Sequence, residues 1–272
     1  MNLYPQITHE PEEQYHARSK SGEVMSSHLL ALFRRSPYKY WATVTGRHQE
    51  EDKPEYALGR AAHKLILEGE DAFNEAYLVA DGPVNPKTGL PFGKTAKAYQ
   101  EWEAAIDREP VSTADYADIN LMREHCHAHE GIAGKLAAGE PECVVRAQLE
   151  GVPCQIRIDW FSPEVGIVDL KTCRDIEFFD GDCRNYGYAF QMAFYRSVLK
   201  AATGREFPVS IIAVDKTEWH IAGIWTMPPC ELDEAEKQNT AALRRYKECR
   251  ERGEWPTGYE RIRVFSNERR PW

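Results

Sequence analysis

Apolar residues recur along this chain in two different rhythms. Residues 1–22 are polar and are expected to be loose. A helix is predicted from Ser26-Ser27, because serine caps free N–H groups, and Leu29, Leu30, Leu32 and Phe33 follow at helical spacing. It stops at Ser36-Pro37, since proline disfavours a helical residue before it. A second helix fits 38–44, and 46–54 is a charged loop. In 55–69, Leu58, Ala62, Leu65 and Ile66 form an apolar stripe, with Gly59 and His63 four apart on an adjoining face. The Gly- and Pro-rich run 81–94 is a long loop, followed by helices over about 95–107 and 113–138. The rhythm then becomes that of strands, at 142–149, 155–161 and 166–172, with turns at Gly151–Pro153 and Ser162-Pro163. Helix returns over 183–202, a hairpin covers 209–216 and 218–227, and a long polar helix runs from Glu231 to Arg252. The last twenty residues carry no regular pattern.

This order predicts an α/β (or α+β) core, a mixed sheet with helices on its faces behind a helical N-terminal portion. We read one domain: 1–140 mainly helical, 141–230 the sheet core, and 231–272 a C-terminal helix and tail.

The sequence of 272 residues suits one large domain. It has no apolar run long enough to span a membrane, and its first residues lack the pattern of a signal peptide. Its seven cysteines include no C-x-x-C pair, which points to reduced thiols in a cytosol rather than to a zinc ribbon. The net charge of −9 argues mildly against a polyanionic partner. Local basic clusters qualify that: Arg34-Arg35, Lys94 with Lys97, Arg244-Arg245, and the tail arginines 261, 263, 269 and 270.

The stretch Gln155–Lys171 concentrates the chemistry. Alternation places Cys154, Ile156, Ile158 and Trp160 on one face of its first strand, and Gln155, Arg157 and Asp159 on the other. On the second strand Ile167, Asp169 and Lys171 share a face. Two carboxylates and an ammonium group within such apolar strands need pairing or a metal. Hard carboxylate oxygens suit Mg²⁺ or Mn²⁺, which acidify bound water and act as Lewis acids. A neighbouring lysine orients that water, donates to a phosphate, or loses its proton if its pKa is depressed. Gln191 and Tyr195 lie one helical turn apart on a downstream helix.

Asp159 followed by Asp169-Leu170-Lys171, together with YHA…VMSSHLLALFRRSPYKY, ALGRAAHKLILE and QMAFY, resembles the PD-(D/E)XK nuclease superfamily over roughly residues 15–230. Within it, the chain is similar to the RecE-type (exonuclease VIII) branch, related to lambda exonuclease and the RecB nuclease domain. The resemblance implies a restriction-endonuclease-like core. It also implies Mg²⁺-dependent (or Mn²⁺-dependent) digestion of double-stranded DNA from its ends, 5′ to 3′, leaving a 3′ single strand for a RecT-type annealing protein. His63, Asp159, Asp169 and the backbone of Leu170 would hold the metal, Lys171 would be the catalytic lysine, and Gln191 with Tyr195 would match the Q-x-x-x-Y motif. Glu142, or Glu140 beside it, stands where many relatives open the first core strand with a glutamate; a solvated strand end is the other reading. Ser27, Arg157 and Lys20 (or Arg18) would contact the 5′-phosphate, although Ser27 also reads simply as a helix cap. The cysteine spacing departs from relatives that carry an iron–sulfur cluster, so none is expected. A ring of three or four copies, with a basic bore and an acidic outside, in a phage or prophage-type bacterial cytosolic setting completes the analogy.

Two other readings compete. One is an end-binding or recombination scaffold that has lost catalysis, against which the intact Asp159, Asp169 and Lys171 set argues. The other is a non-haem iron enzyme, which would need histidines beyond His63 at facial-triad geometry; His125, His127 and His129 are the candidates.

Overall fold

The fold is that of a computed structural model, which describes residues 4–48 and 54–262. The chain opens with β1 (Ile7–Thr8), α1 (Glu12–Lys20), α2 (Ser27–Arg35), α3 (Pro37–Val44) and α4 (Pro54–His63), which continues as a π-helical turn (Lys64–Glu68). There follow α5 (Gly69–Ala76), β2 (Tyr77–Val79), α6 (Lys97–Glu103), β3 (Glu109–Val111), α7 (Thr113–Ala128) and α8 (Glu130–Leu136). The core strands are β4 (Glu140–Leu149), β5 (Val152–Ser162) and β6 (Gly166–Cys173). After them come a 3₁₀ turn (Ile176–Phe178), α9 (Phe179–Tyr186), α10 (Tyr188–Thr203), β7 (Val209–Asp215), β8 (Ala222–Thr226) and α11 (Pro229–Arg252). No helix among the described residues is long and apolar enough to cross a membrane.

Six strands form one mixed sheet in the order β1-β4-β5-β6-β7-β8, antiparallel except for the parallel pair β6–β7. Helices cover both faces, as expected. One face packs Ile156, Ile158, Ile167 and Ile211 against α2, α10 and α11 through Leu30, Phe33, Phe194 and Leu243. The other packs Val168, Leu170, Ile212 and Val214 against α4, the π turn and α7 through Ala62, Leu65, Ile119 and Met122. A small parallel pair, β2–β3, lies outside this sheet.

Several expectations are corrected. The N-terminal segment is ordered, because buried Gln155 donates from its amide to the Tyr15 carbonyl and to Ser19 Oγ, both at 2.8 Å. The helix predicted over 113–138 breaks at His129, whose side chain caps α8 by accepting from the Ile132 N–H at 3.3 Å. The helix predicted over 183–202 breaks at Gly187, which adopts the left-handed region (φ 71°) and separates α9 from α10. Helix 95–107 contracts to α6. Trp160 does not share a face with Ile158: it packs against the second core, while Ile158 and Phe161 belong to the first, so strict alternation fails at Asp159. Of the charged loop, residues 49–53 lie outside the described residues, as do the tail arginines 263, 269 and 270.

One departure from regular pairing builds the site. The β5–β6 ladder holds only three residue pairs, Trp160↔Val168, Phe161↔Ile167 and Ser162↔Gly166. Beyond it the strands part. The free flank of β5 is taken instead by Met25, which exchanges hydrogen bonds with Pro153 and Gln155 at 2.8 and 2.9 Å. Between the arms of this fork lies the candidate site.

Candidate active site

Three neighbouring strands each bring one acid to the mouth of the fork. The register Pro141↔Trp160 and Cys143↔Ile158 sets Glu142 opposite Asp159. The register Trp160↔Val168 sets Asp169 one step further, also level with Asp159. Like charges directly opposite each other destabilise a sheet, and regular pairing is lost here. Glu142 turns into the left-handed region (φ 56°), and the Asp159 carboxylate accepts the Leu170 N–H at 2.8 Å instead of facing a ladder partner.

α4 supplies the fourth group. A Cβ on Gly59 would lie 3.2 Å from Thr172 Oγ1, so a glycine there lets the helix lie close against β6. One turn later His63 Nδ1 stands 3.6 Å from Asp159 Oδ2. The π turn begins at the next residue, a deviation often found at functional sites. It buries Leu65, Ile66 and Leu67, and leaves the Lys64–Glu68 pair (2.8 Å) on the cleft.

From the opposite face α10 presents Gln191, whose amide donates to Asp169 Oδ1 at 3.2 Å and to the Tyr195 hydroxyl at 3.3 Å. Lys171 Nζ lies 2.6 Å from Asp169 Oδ2 and 5.1 Å from the centre of the Tyr188 ring. Arg157 contacts Glu142 and reaches Glu12 at 3.4 Å. Glu12, His63, Glu142, Arg157, Asp159 and Tyr188 line a cleft of about 1080 Å³, walled by α1, α4, β5, the end of β6, α9 and the start of α10; Asp169, Lys171 and Gln191 are not among its lining residues.

Burial dominates the electrostatics. It pushes Glu142 up to about 8, with Asp159 adding to the rise and Arg157 opposing it. It pushes Asp169 up to about 6 against the pull of Lys171, and it raises Asp159 as well. It lowers His63 to about 4, helped by the Lys171 charge, so the imidazole is neutral near pH 7. Burial also disfavours the Lys171 ammonium, but Asp169 and Asp159 overcome this and hold its pKa above the ordinary lysine range. Glu12 is drawn down to about 2, chiefly by its hydrogen bond with His16.

These residues fit a hard divalent cation. Asp169 Oδ2 is buried, with the Lys171 ammonium at 2.6 Å as its partner. Three carboxylates stand level on adjacent strands, a neutral imidazole lies 3.6 Å from the middle one, and burial works against every negative charge among them. A cation relieves that cost, as carboxylate oxygens and an imidazole nitrogen suit such an ion.

His63, Asp159, Asp169, Lys171, Gln191 and Tyr195 are thus brought together, and Glu142 and Arg157 join them. The backbone of Leu170 is engaged from within: its N–H serves Asp159, and a backbone hydrogen bond to Leu170 raises the His63 pKa against the effect of burial. Ser27 and Lys20 are not among the cleft-lining residues. Ser27 is the first residue of α2 behind the Ser26 cap, and Lys20 is exposed at the end of α1. Arg18 pairs with Glu23 at 3.4 Å, and Glu140 lies 3.7 Å from His9. The iron alternative gains no second histidine at the site: His125, His127 and His129 lie on α7 and at the start of α8, and none lines the cleft. Sequence reasoning gave no role to Glu12, Tyr15 and His16 of α1 or to Glu68, although YHA (15–17) and ALGRAAHKLILE (57–68) carried part of the resemblance.

A buried Asp…Asp-x-Lys set on a forked sheet, with a helix histidine on one side and a Q-x-x-x-Y helix on the other, is the architecture of a PD-(D/E)XK nuclease. The chain belongs to the family of PDDEXK-like domains of unknown function (DUF3799), whose model matches residues 26–268. Its fold is similar to the crystal structure of a candidate exonuclease from Eubacterium rectale, at TM-score 0.68 and 17% identity over 96% of this chain and 97% of that one. Weaker likenesses are to a phage-related exonuclease from Haemophilus somnus (TM-score 0.38, 14% identity, 85% and 96% covered) and to LHK-Exo in complex with dAMP (TM-score 0.30, 13% identity, 74% and 98% covered). No curated protein matches the sequence.

Proposed function

We propose that this chain is a divalent-metal-dependent exodeoxyribonuclease that digests linear double-stranded DNA from its ends. The observation that carries the reading is the meeting of His63, Asp159, Asp169 and Lys171 at the fork, with Gln191 bracing Asp169 from the opposite face. Its RecE-like polarity (5′ to 3′), its use of Mg²⁺, and its work in a ring of three or four copies beside a RecT-type annealing protein follow from the family resemblance.

His63, Asp159 and Asp169 would hold the cation, with Glu142 completing the carboxylate set. When bound, the ion supplies Lewis acidity and a more acidic water. Lys171 remains an ammonium group, and donates to the attacking water or to a non-bridging phosphate oxygen. Gln191 occupies Asp169 Oδ1, which keeps the other oxygen turned towards Lys171 and the ion. Arg157, braced between Glu142 and Glu12, meets a terminal phosphate by exchanging the more exposed Glu12 for it.

The test is conversion of a linear, 5′-phosphorylated duplex to nucleotides and single strand with Mg²⁺ or Mn²⁺, and its loss in EDTA. Lys171→Ala is expected to lower the rate by about 10²–10⁴. Full activity in that variant overturns the role of Lys171. End binding without cleavage in either metal points to the scaffold instead.

A further inference from the structure

The acids and their lysine account for one end of the cleft. The rest of its wall carries aromatic rings that hydrolysis does not use. Tyr56, Phe178 and Tyr186 line the cleft while 56%, 66% and 64% exposed. On α4, Tyr56, Arg60 and His63 follow at i, i+4 and i+7, one face of a helix, and all three line the cleft. On another wall the 3₁₀ turn ends at Phe178 and α9 ends at Tyr186. The left-handed Gly187 then turns the chain so that Tyr186 and Tyr188 stack, 5.9 Å apart with 29° between planes. Tyr188 in turn lies against Lys171. Stacked rings therefore lead from solvent to the lysine, bordered by Arg174 and Lys216 and by the acids Asp175 and Asp182.

Packing does not explain these rings. Phe179, next to Phe178, is fully buried, and Phe178 is turned outward. Exposed aromatics interleaved with cations suit nucleic-acid bases and phosphates. Within a duplex each base face is covered by its neighbour, so only an end or an unpaired base offers one. The cleft volume, about 1080 Å³, matches the upper end of ligand sites, roughly 300–1,000 Å³, which is the scale of a few nucleotides rather than of a double helix.

We propose that this wall is a single-strand track. Phe178, Tyr186 and Tyr188, with Tyr56 from α4, stack the unpaired terminal bases of one DNA strand, and Arg174 and Lys216 hold the intervening phosphates. The inference rests on the nuclease reading for the nature of its ligand, and it adds the rings that receive the bases.

Binding in EDTA tests it apart from catalysis. The full-length protein is titrated with a fluorescent oligothymidylate and with the same oligonucleotide made abasic at its terminal positions. Tighter binding of the base-bearing strand by tenfold or more is expected. Phe178→Ala with Tyr186→Ala should cut that preference, roughly tenfold per ring, and should raise KM on duplex ends while sparing kcat. Phe178→Tyr with Tyr186→Phe should restore both. Equal affinity for abasic and base-bearing strands in the unaltered protein overturns the track, whether or not the chain cleaves DNA. A base preference without cleavage in Mg²⁺ or Mn²⁺ leaves the track standing and removes the nuclease reading.

Discussion

Asp169 is 1% exposed, pairs with Lys171, and stands level with the Asp159 carboxylate of the neighbouring strand. Such a group is a burden on the metal-free fold and an asset once a cation arrives. Glu142 (about 8, from 4.5) and Asp169 (about 6, from 3.8) bind protons more tightly folded than unfolded. Their stabilising contribution is complete below the unfolded values and fades as pH rises through the folded ones. His63, lowered from 6.5 to about 4, acts in the opposite sense: its contribution is present above pH 6.5 and is lost as pH falls towards 4. Protons and a divalent ion compete for the same carboxylates. We therefore expect Mg²⁺ to raise the melting temperature more at pH 8.5 than at pH 6, measured by thermal shift against EDTA. A metal-induced shift that is absent, or larger at the lower pH, would contradict the donor set. The acids at 159 and 169 and the lysine at 171 were legible in the sequence, because charges among so many apolar strand residues stand out. Glu142 was not separable from Glu140 by sequence, since only the β4–β5 register decides which of the two faces Asp159.

α4 shows how an element positions a residue. Its stripe of Leu58, Ala62, Leu65 and Ile66 was readable, but the π turn was not, because it leaves the hydrophobic repeat nearly unchanged. Gly59 is the spacer between α4 and β6. Gly59→Ala places a methyl 3.2 Å from a hydroxyl that can rotate away, and alanine favours a helix by about 1 kcal/mol over glycine, so we expect near-neutral stability. Gly59→Leu carries a longer side chain past Thr172 into the cleft that Gly59 lines. It should push His63 from Asp159 and weaken metal affinity by about tenfold or more, as read by isothermal calorimetry, while the far-UV circular dichroism stays native; unchanged affinity would show that α4 does not need this close approach. The three core strands were predicted to within a few residues because turns bound them and both faces are apolar. The ordered α1, the β2–β3 pair and the helix breaks at His129 and Gly187 were not, because partners distant in sequence or local caps create them. Gln155 holding Tyr15 and Ser19 is the clearest case.

At the scale of the whole molecule, a net charge of −9 must be reconciled with a polyanionic substrate. Steering follows local potential rather than the sum, and the cleft lining interleaves Arg60, Lys64, Arg157, Arg174 and Lys216 with Glu12, Glu68, Glu142, Asp159, Asp175 and Asp182, so DNA there relies on a bound cation to offset its phosphates. DNA-end affinity should fall linearly with salt on logarithmic axes, with a shallow slope of a few phosphates rather than many. Filter binding across a salt series reads it, and a slope near zero would remove DNA from consideration. Sedimentation velocity decides the proposed ring: a species of three or four copies is expected, and a lone protomer at working concentration speaks against it.

The strut formed by Met25 also bears on how this protein can be dissected. The family match begins at residue 26, and a gene fragment cut to that boundary would look complete on paper. It would lack β1, α1 and the segment that seals the free flank of β5. The Gln155 amide would lose both acceptors and Arg146 would lose Glu10, at about 0.5–1.5 kcal/mol for each intramolecular hydrogen bond exchanged for water. The bared strand would present open hydrogen-bonding groups to its neighbours, an invitation to aggregate. We expect such a fragment to collect in the insoluble fraction on expression, where the full-length chain stays in solution.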